Sequence, residues 1–337
     1  MKDQVTQQTE GERYDLAHLS ASSPRTVLDG RHFIEVKETP GKGLGIFARI
    51  HIPIGTRIIA ETPLLKATAF STYGVNVQDS FERLSLTKQH AYLQLHGYAS
   101  PRLKKDNDWA SLPELNRKVL AIYAANRWGR DVFWLASRFN HTCIPNVHNA
   151  YNPTIQMETF HNIRNIEAGE ELTISYLSGI SARNERQAQL KSWGFRCSCL
   201  ACQDTEEGNA LEQKLCRLTL LSRGLEANVS STFSYEKKLG THRKMAALLR
   251  SVGLEGKPLH QCFLDTAFCS ALLGNVQMAM LWTAKELEVN SYCLGQDHPD
   301  CQKEARLLKQ LQTAAASKKK FHYLQINWIL DWDRGPE

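Results

Sequence analysis

The apolar and polar positions divide the chain into stretches of different period. From residue 31 onward, HFIEVKETPGKGLGIFARIHIPIGTRIIAETPLL holds short apolar and β-branched runs, punctuated by Gly or Pro every 6–10 residues. That pattern predicts strands joined by tight turns. Between 75 and 130, FERLSLTKQHAYLQLH and LPELNRKVLAIYAANRW repeat their apolar positions at helical spacing. Strand character returns over 146–177, where TIQMETFHNIRNIEAGEELTISYL alternates around an Ala168-Gly169-Glu170 turn. After 203 the pattern is helical throughout. CFLDTAFCSALLGNVQMAMLWTAKELEVNSYCLG predicts a helix pair with its turn near Gly274, and a further helix follows His298-Pro299. Two such pairs would form a short helical-repeat module, but no second copy with matching residues is visible. Residues 1–30 are polar, with Ser-Ser-Pro at 22–24, and read as a flexible tail.

Composition narrows the class. At 337 residues the chain has room for two domains of ordinary size, and 42% hydrophobic against 23% charged residues excludes wholesale disorder. Lys and Arg exceed Asp and Glu by 41 to 35, a formal +6, which is too dilute to argue for nucleic-acid binding without a clustered basic face. The one tight basic run, Lys318-Lys319-Lys320, reads as a solvated helix end. No stretch approaches the roughly 20 apolar residues of a membrane span. The N-terminal residues MKDQVTQQTEGERYDLAHLS lack a secretory apolar core. The expectation is an intracellular protein of the nucleus or cytoplasm, whose nine cysteines are thiols rather than disulfides.

Three of those thiols are distinctive. Cys197-Ser198-Cys199-Leu200-Ala201-Cys202 sets them within six residues. Zinc takes four tetrahedral ligands, and a closed thiolate set is its usual structural solution. The fourth donor is open among Cys143, His141, His148 and Cys216. A catalytic thiol is disfavoured, because no base partner lies nearby in sequence. Cys216, Cys262, Cys269, Cys293 and Cys301 are scattered through helical segments and read as buried thiols.

Four segments resemble the SET-domain family of protein-lysine methyltransferases. Gly41-Lys42-Gly43-Leu44-Gly45-Ile46-Phe47-Ala48 resembles its opening glycine-rich turn. Ser137-Arg138-Phe139-Asn140-His141-Thr142-Cys143-Ile144-Pro145-Asn146 resembles its NHxCxPN signature, and Gly169-Glu170-Glu171-Leu172-Thr173-Ile174-Ser175-Tyr176 resembles GEELxxxY. Trp193-Gly194-Phe195-Arg196 leading into the cysteines resembles the post-SET tail. The four occur in the family's order and cover 31–66 and 131–202. The branch resembled is the SET-and-MYND group with its fungal relatives. Residues 67–130, where that group carries its MYND zinc finger, contain no cysteine, so the finger is missing.

The resemblance implies an α+β fold: a β-rich SET domain over 31–180 with a pseudoknot and a helical insert at 67–130, a zinc-binding post-SET segment at 181–202, then an all-α, TPR-like region at 203–337. It implies S-adenosyl-L-methionine as cofactor, held by Lys42, Gly43, Leu44, Asn126, Ser137, Asn140, His141, Tyr176 and Phe195. Tyr176 is the expected catalytic residue, with Trp193 and Tyr151 as further aromatics around the amine. In that fold Cys143 joins Cys197, Cys199 and Cys202 around one structural zinc ion. The implied partner is a protein substrate presenting a lysine to a monomeric enzyme. A SET-fold binding module that acts through its C-terminal helices with weak catalysis is the alternative.

Overall fold

The computed structural model describes residues 29–67, 75–106, 108–227 and 235–316. Most of the polar tail at 1–30 and the whole lysine triplet lie outside these residues. The first sheet begins with a hairpin, β1 (Ile34–Thr39) and β2 (Gly43–Ala48), paired in antiparallel register with Val36 opposite Ile46. Its turn needs left-handed backbone at Gly41 (φ 72°) and Gly43 (φ 75°), which glycine supplies without a Cβ clash.

The hairpin is extended by β10 (Glu171–Ile174), which runs antiparallel to β2 and parallel to the short β7 (Asn140–His141), giving the order β1-β2-β10-β7. In the parallel pair Thr173 faces Asn140 and Ile174 faces His141. The chain stays against β10 beyond β7. Thr142 N–H donates to Ile174 O at 3.0 Å and Asn146 N–H to Thr173 O at 3.3 Å. The Asn146 side chain closes the seam, accepting from Thr173 N at 2.7 Å and donating to Glu171 O at 2.9 Å.

The second sheet, β3 (Arg57–Glu61), β9 (Met157–Asn162) and β8 (Val147–Asn152), is antiparallel with β9 central. Its apolar face meets the first sheet in a core of Ile46, Ile58, Phe139, Phe160 and Leu172, all essentially excluded from solvent. Phe139 and Phe160 stack there with ring centres 5.1 Å apart.

The inserted region differs in detail from the expected run of helix. It contains α1 (Val75–Glu82), α2 (Leu86–Leu93), α3 (Pro101–Asp106) and α4 (Glu114–Asn126), and a three-stranded sheet closes its base. That sheet joins β4 (Leu65–Lys66) and β5 (Arg127–Trp128) through β6 (Asp131–Val132). The apolar period of FERLSLTKQHAYLQLH is therefore interrupted: Ser85 takes a non-helical conformation and its Oγ accepts from Lys88 N, capping α2. The period of LPELNRKVLAIYAANRW ends at Asn126, whose amide donates to Ile122 O (2.7 Å) and His96 O (2.6 Å) while Arg127 turns extended. A separate core of Leu65, Phe81, Tyr92, Val119 and Ile122 fills this region.

Among the described residues five α-helices follow α5 (Arg183–Leu190): α6 (Glu206–Ala227), α7 (Tyr235–Ser251), α8 (Lys257–Leu272), α9 (Val276–Leu294) and α10 (Pro299–Ala316). The expected turn falls at Gly274 (φ 73°), and Asn275 caps α9 by accepting from Met278 N. Each helix from α6 packs on the next, and α9 also lies on β8 and β9. The core beneath them includes Cys143, Ile163, Leu190 and Cys197, so the helices and the 181–202 segment share one apolar interior. Among the described residues no helix is long and apolar enough to cross a membrane.

Asn146 is 2% exposed, and its side chain holds two backbone groups of β10, Glu171 O and Thr173 N–H. Leaving Thr173 N–H unpaired should cost about 1–3 kcal/mol. We expect Asn146→Ala to lower the urea midpoint accordingly with an unchanged slope, measured by tryptophan fluorescence.

Candidate active site and cysteine cluster

The β7–β10 seam brings the signature residues together. Tyr176 N–H donates to His141 Nδ1 at 3.0 Å, and the Tyr176 hydroxyl donates to Phe139 O at 2.6 Å. The tyrosine is thus tied at both ends to the strand that carries Asn140 and His141. Because Nδ1 accepts, the proton of the neutral imidazole sits on Nε2, which faces Cys143 Sγ at 3.6 Å. Burial pulls the His141 pKa down to about 4, so the ring stays neutral near pH 7. Burial, and then the Glu171 carboxylate, hold the Tyr176 phenol well above its ordinary value, so it remains a donor rather than a base.

On the other side of β10, Asn140 Nδ2 donates to Leu44 O at 3.3 Å and to Glu171 Oε1 at 2.8 Å. Lys42 Nζ reaches Glu171 Oε2 at 3.1 Å. Gly45 fits because no side chain could: an added Cβ would lie 2.5 Å from Thr39 Oγ1 and 2.9 Å from Asn140 Nδ2. At Gly43 the same test finds open space, so the backbone at the turn is free to approach a ligand closely.

A cavity of about 200 Å³ opens beside Tyr176, lined by Asn126, Trp128, Ser137, Phe139, Ser175 and Trp193 among others. Tyr176 and Trp193 lie with ring centres 5.0 Å apart. Phe195 contacts both His141 (6.0 Å) and Tyr176 (6.2 Å) yet remains 37% exposed, an aromatic face left partly open at the rim. The loop that carries Ser137 is shaped by Glu61, whose carboxylate accepts from the backbone N–H groups of Trp134, Leu135 and Ala136, each at 2.9 Å.

The structure distributes the expected site residues over two adjoining places. Lys42, Gly43, Leu44 and Asn140 meet around Glu171, whereas Asn126, Ser137, Tyr176 and Trp193 line the cavity, and His141 and Phe195 link the two. Two of these side chains are already committed: the Asn126 amide nitrogen to backbone carbonyls, and the Ser137 hydroxyl to Phe133 O. Tyr151 belongs elsewhere. It sits on β8, 56% exposed, with its carbonyl against His298.

The four sulfurs of Cys143, Cys197, Cys199 and Cys202 lie within 4.8 Å of one another, with Cys143 and Cys202 at 3.5 Å. Zinc–sulfur bonds of about 2.3 Å in a tetrahedron put sulfurs about 3.8 Å apart, so the donor set suits a zinc-like ion in both number and size. The other candidate fourth donors are engaged elsewhere. Cys216 Sγ donates to Glu212 Oε1 at 3.2 Å, His148 sits beside Gly256, and His141 turns its Nδ1 to Tyr176. Four thiolates around a divalent ion carry two net negative charges, and Arg186 lies against them. Its guanidinium, 4% exposed, reaches Cys202 Sγ at 3.7 Å, Ala201 O at 3.0 Å and Glu212 Oε2 at 2.9 Å. Neither Arg186 nor Glu171 was singled out from sequence. Glu171 lay inside the GEEL motif, whereas Arg186 is one of two arginines in a polar helix with no spacing signal of its own.

Comparison with known proteins agrees with this geometry. Residues 43–177 match the SET domain family. It is similar to the histone-lysine N-methyltransferase set5 of Schizosaccharomyces pombe, 32% identical over 178 residues, which cover 51% of each chain. It is also similar to the human histone-lysine N-methyltransferase SMYD3, 38% identical over 73 residues (21% of this chain and 16% of SMYD3). The putative SET domain-containing protein L678 of Acanthamoeba polyphaga mimivirus is 24% identical over 251 residues, 64% of this chain and 91% of L678. The chain thus spans about half the length of set5 and much less of SMYD3.

Removing one partner of a buried, hydrogen-bonded ion pair typically costs about 3–5 kcal/mol. We expect Arg186→Met to destabilise the chain by that order in a urea melt and to speed loss of metal to a chelator. Replacing Arg223, whose pairing with Glu185 is exposed, should leave both measurements unchanged.

Proposed function

We propose that this chain transfers a methyl group from S-adenosyl-L-methionine to the ε-amine of a lysine in a protein substrate, histones being the first candidates. The observation that supports this most is the double anchoring of Tyr176 to the His141 strand, at the wall of a cavity lined by Trp193, Phe139 and Ser137. When bound, the cofactor supplies a methyl group activated on a positively charged sulfur. The chain's own residues have three tasks.

The first is to hold the cofactor. The open backbone face at Gly43, the Asn140–Leu44 contact and the Lys42 ammonium can receive the amino-acid end, and the exposed face of Phe195 can cover the base. The second is to deliver a neutral amine. Lysine has an ordinary pKa of about 10.4, and an apolar aromatic channel disfavours its charged form, so the proton leaves to solvent as the side chain enters. The third is aim. Tyr176 keeps its phenolic proton and cannot act as the base, so its part is to fix the geometry in which the amine meets the methyl carbon.

We infer zinc as the ion of the cysteine quartet, with the role of pinning 197–202 so that Phe195 stays at the rim. That all nine cysteines are free thiols supports an intracellular setting, nucleus or cytoplasm. The enzyme would act as a monomer.

Calorimetric titration with S-adenosyl-L-methionine, paired with single-turnover assays on histones, tests the reading. Tyr176→Phe should retain cofactor affinity within a few-fold and lose methyl transfer by about a hundredfold or more. Cys199→Ala should lose zinc and weaken cofactor binding together. Unchanged cofactor affinity in a metal-free Cys199→Ala chain contradicts the link between ion and pocket. Cofactor binding without transfer to any protein favours the binding-module alternative.

A further inference from the structure

A second group of ligand-type side chains lies in the helical region, away from the cavity and the cysteines. His260 on α8, Glu286 on α9 and Glu304 on α10 direct one ligand atom each into a space where these atoms lie within 4.8 Å of one another. Glu286 is fully buried, Glu304 is 2% exposed and His260 is 16% exposed at its side chain. His260 Nε2 stands 3.3 Å from Glu286 Oε1 and 3.5 Å from Glu304 Oε1. Those separations suit hydrogen bonds, yet the orientations do not make them. Among the described residues, His260 Nε2, both oxygens of Glu286 and Oε2 of Glu304 have no hydrogen-bond partner in bonding geometry. Asn290, one turn along α9, donates its amide to Glu304 Oε1 and fixes that carboxylate.

Buried carboxylates without donors are costly, and two of them together more so. A protonated His260 balances one carboxylate charge, and burial favours the protonated form of Glu286, so the three groups alone are neutral only with a proton kept on a buried acid. A divalent cation bound by two carboxylates and a neutral imidazole brings the sum to zero. Nitrogen and oxygen ligands at about 2.0–2.2 Å around such an ion stand about 3.4 Å apart in a tetrahedron, close to the two separations seen here. We propose that His260, Glu286 and Glu304 form a second metal site, taking a divalent ion of the Mn2+ or Zn2+ type that favours mixed imidazole and carboxylate donors. Asn290 is a positioning residue for Glu304. The ion ties α8, α9 and α10 together, and through α9 it braces the helical region against β8 and β9. It is a different ion from that of the cysteine quartet, which draws its donors from thiolates alone.

The test uses the full chain purified with the cysteine ion in place. Zinc content is measured by elemental mass spectrometry, and Mn2+ is titrated alone, with free Mn2+ read by electron paramagnetic resonance. The wild type should take up one Mn2+ per chain and show two zinc ions when zinc-saturated. Glu286→Gln and His260→Gln should weaken Mn2+ binding by at least about tenfold and lose one zinc. Cys199→Ala should lose the other zinc and keep its Mn2+ binding. If the variants fail to fold, the wild type decides: its melting temperature should rise on adding Mn2+ or excess zinc. A wild-type chain that binds no Mn2+, holds only one zinc and melts at the same temperature with either ion overturns the proposal, as does Mn2+ binding undiminished in the folded variants.

Discussion

The interaction on which the rest of the site depends is the parallel pairing of β7 with β10. It is only two residues long, Asn140 with Thr173 and Ile174 with His141. A two-residue parallel ladder has little stability of its own. What secures it is the continuation of the same seam, through Thr142 and Asn146 on one strand and Thr173, Ile174 and Tyr176 on the other. Asn140, His141 and Tyr176 sit on that seam, and Lys42, Trp193 and Phe195 lie one contact from it. Asn140 reaches across to the glycine-rich hairpin, His141 to the cysteines, and Tyr176 to the cavity. A slip of one residue would turn each of these side chains to the opposite face.

The second constraint is the handling of buried charge. The cysteine quartet offers a donor set for a cation, and Arg186 and the Nε2 proton of His141 offer positive density beside it. The site also separates its charges. Glu171, Lys42 and Asn140 form a polar group on the hairpin side, whereas the Tyr176 side is walled by aromatic rings. That division suits a reaction between a cation on one side and an amine that must arrive uncharged on the other. The shared apolar interior of the 181–202 segment and the helices makes the C-terminal region part of this arrangement rather than an appendage.

What was legible in the chain follows from where the information lies. Asn140, His141, Tyr176 and the cysteine triplet could be read because their chemistry is written in short spacings. The helix pair at 262–295 could be read because a long apolar period with a glycine at its middle has few other solutions. Strands β4, β5 and β6 could not, since two residues carry no period. Nor could the ends of α2 and α4, where one serine and one asparagine side chain overrode a continuing apolar pattern. Arg186 and the His260, Glu286 and Glu304 group were hidden for another reason. Their partners come from separate helices, and only packing shows that these charged side chains point inward. Tyr151 was misplaced because alternation along β8 does not say which face meets the cavity.

The reaction proposed for the Tyr176 cavity is methylation of a lysine. The most direct measurement is mass spectrometry of cell extract incubated with the chain and methyl-deuterated S-adenosyl-L-methionine, with Tyr176→Phe run in parallel. The account predicts labelled lysines that depend on the wild-type chain and vanish with Tyr176→Phe. Labelling that persists unchanged in Tyr176→Phe, or a wild-type chain that binds the cofactor and labels no lysine, would contradict it.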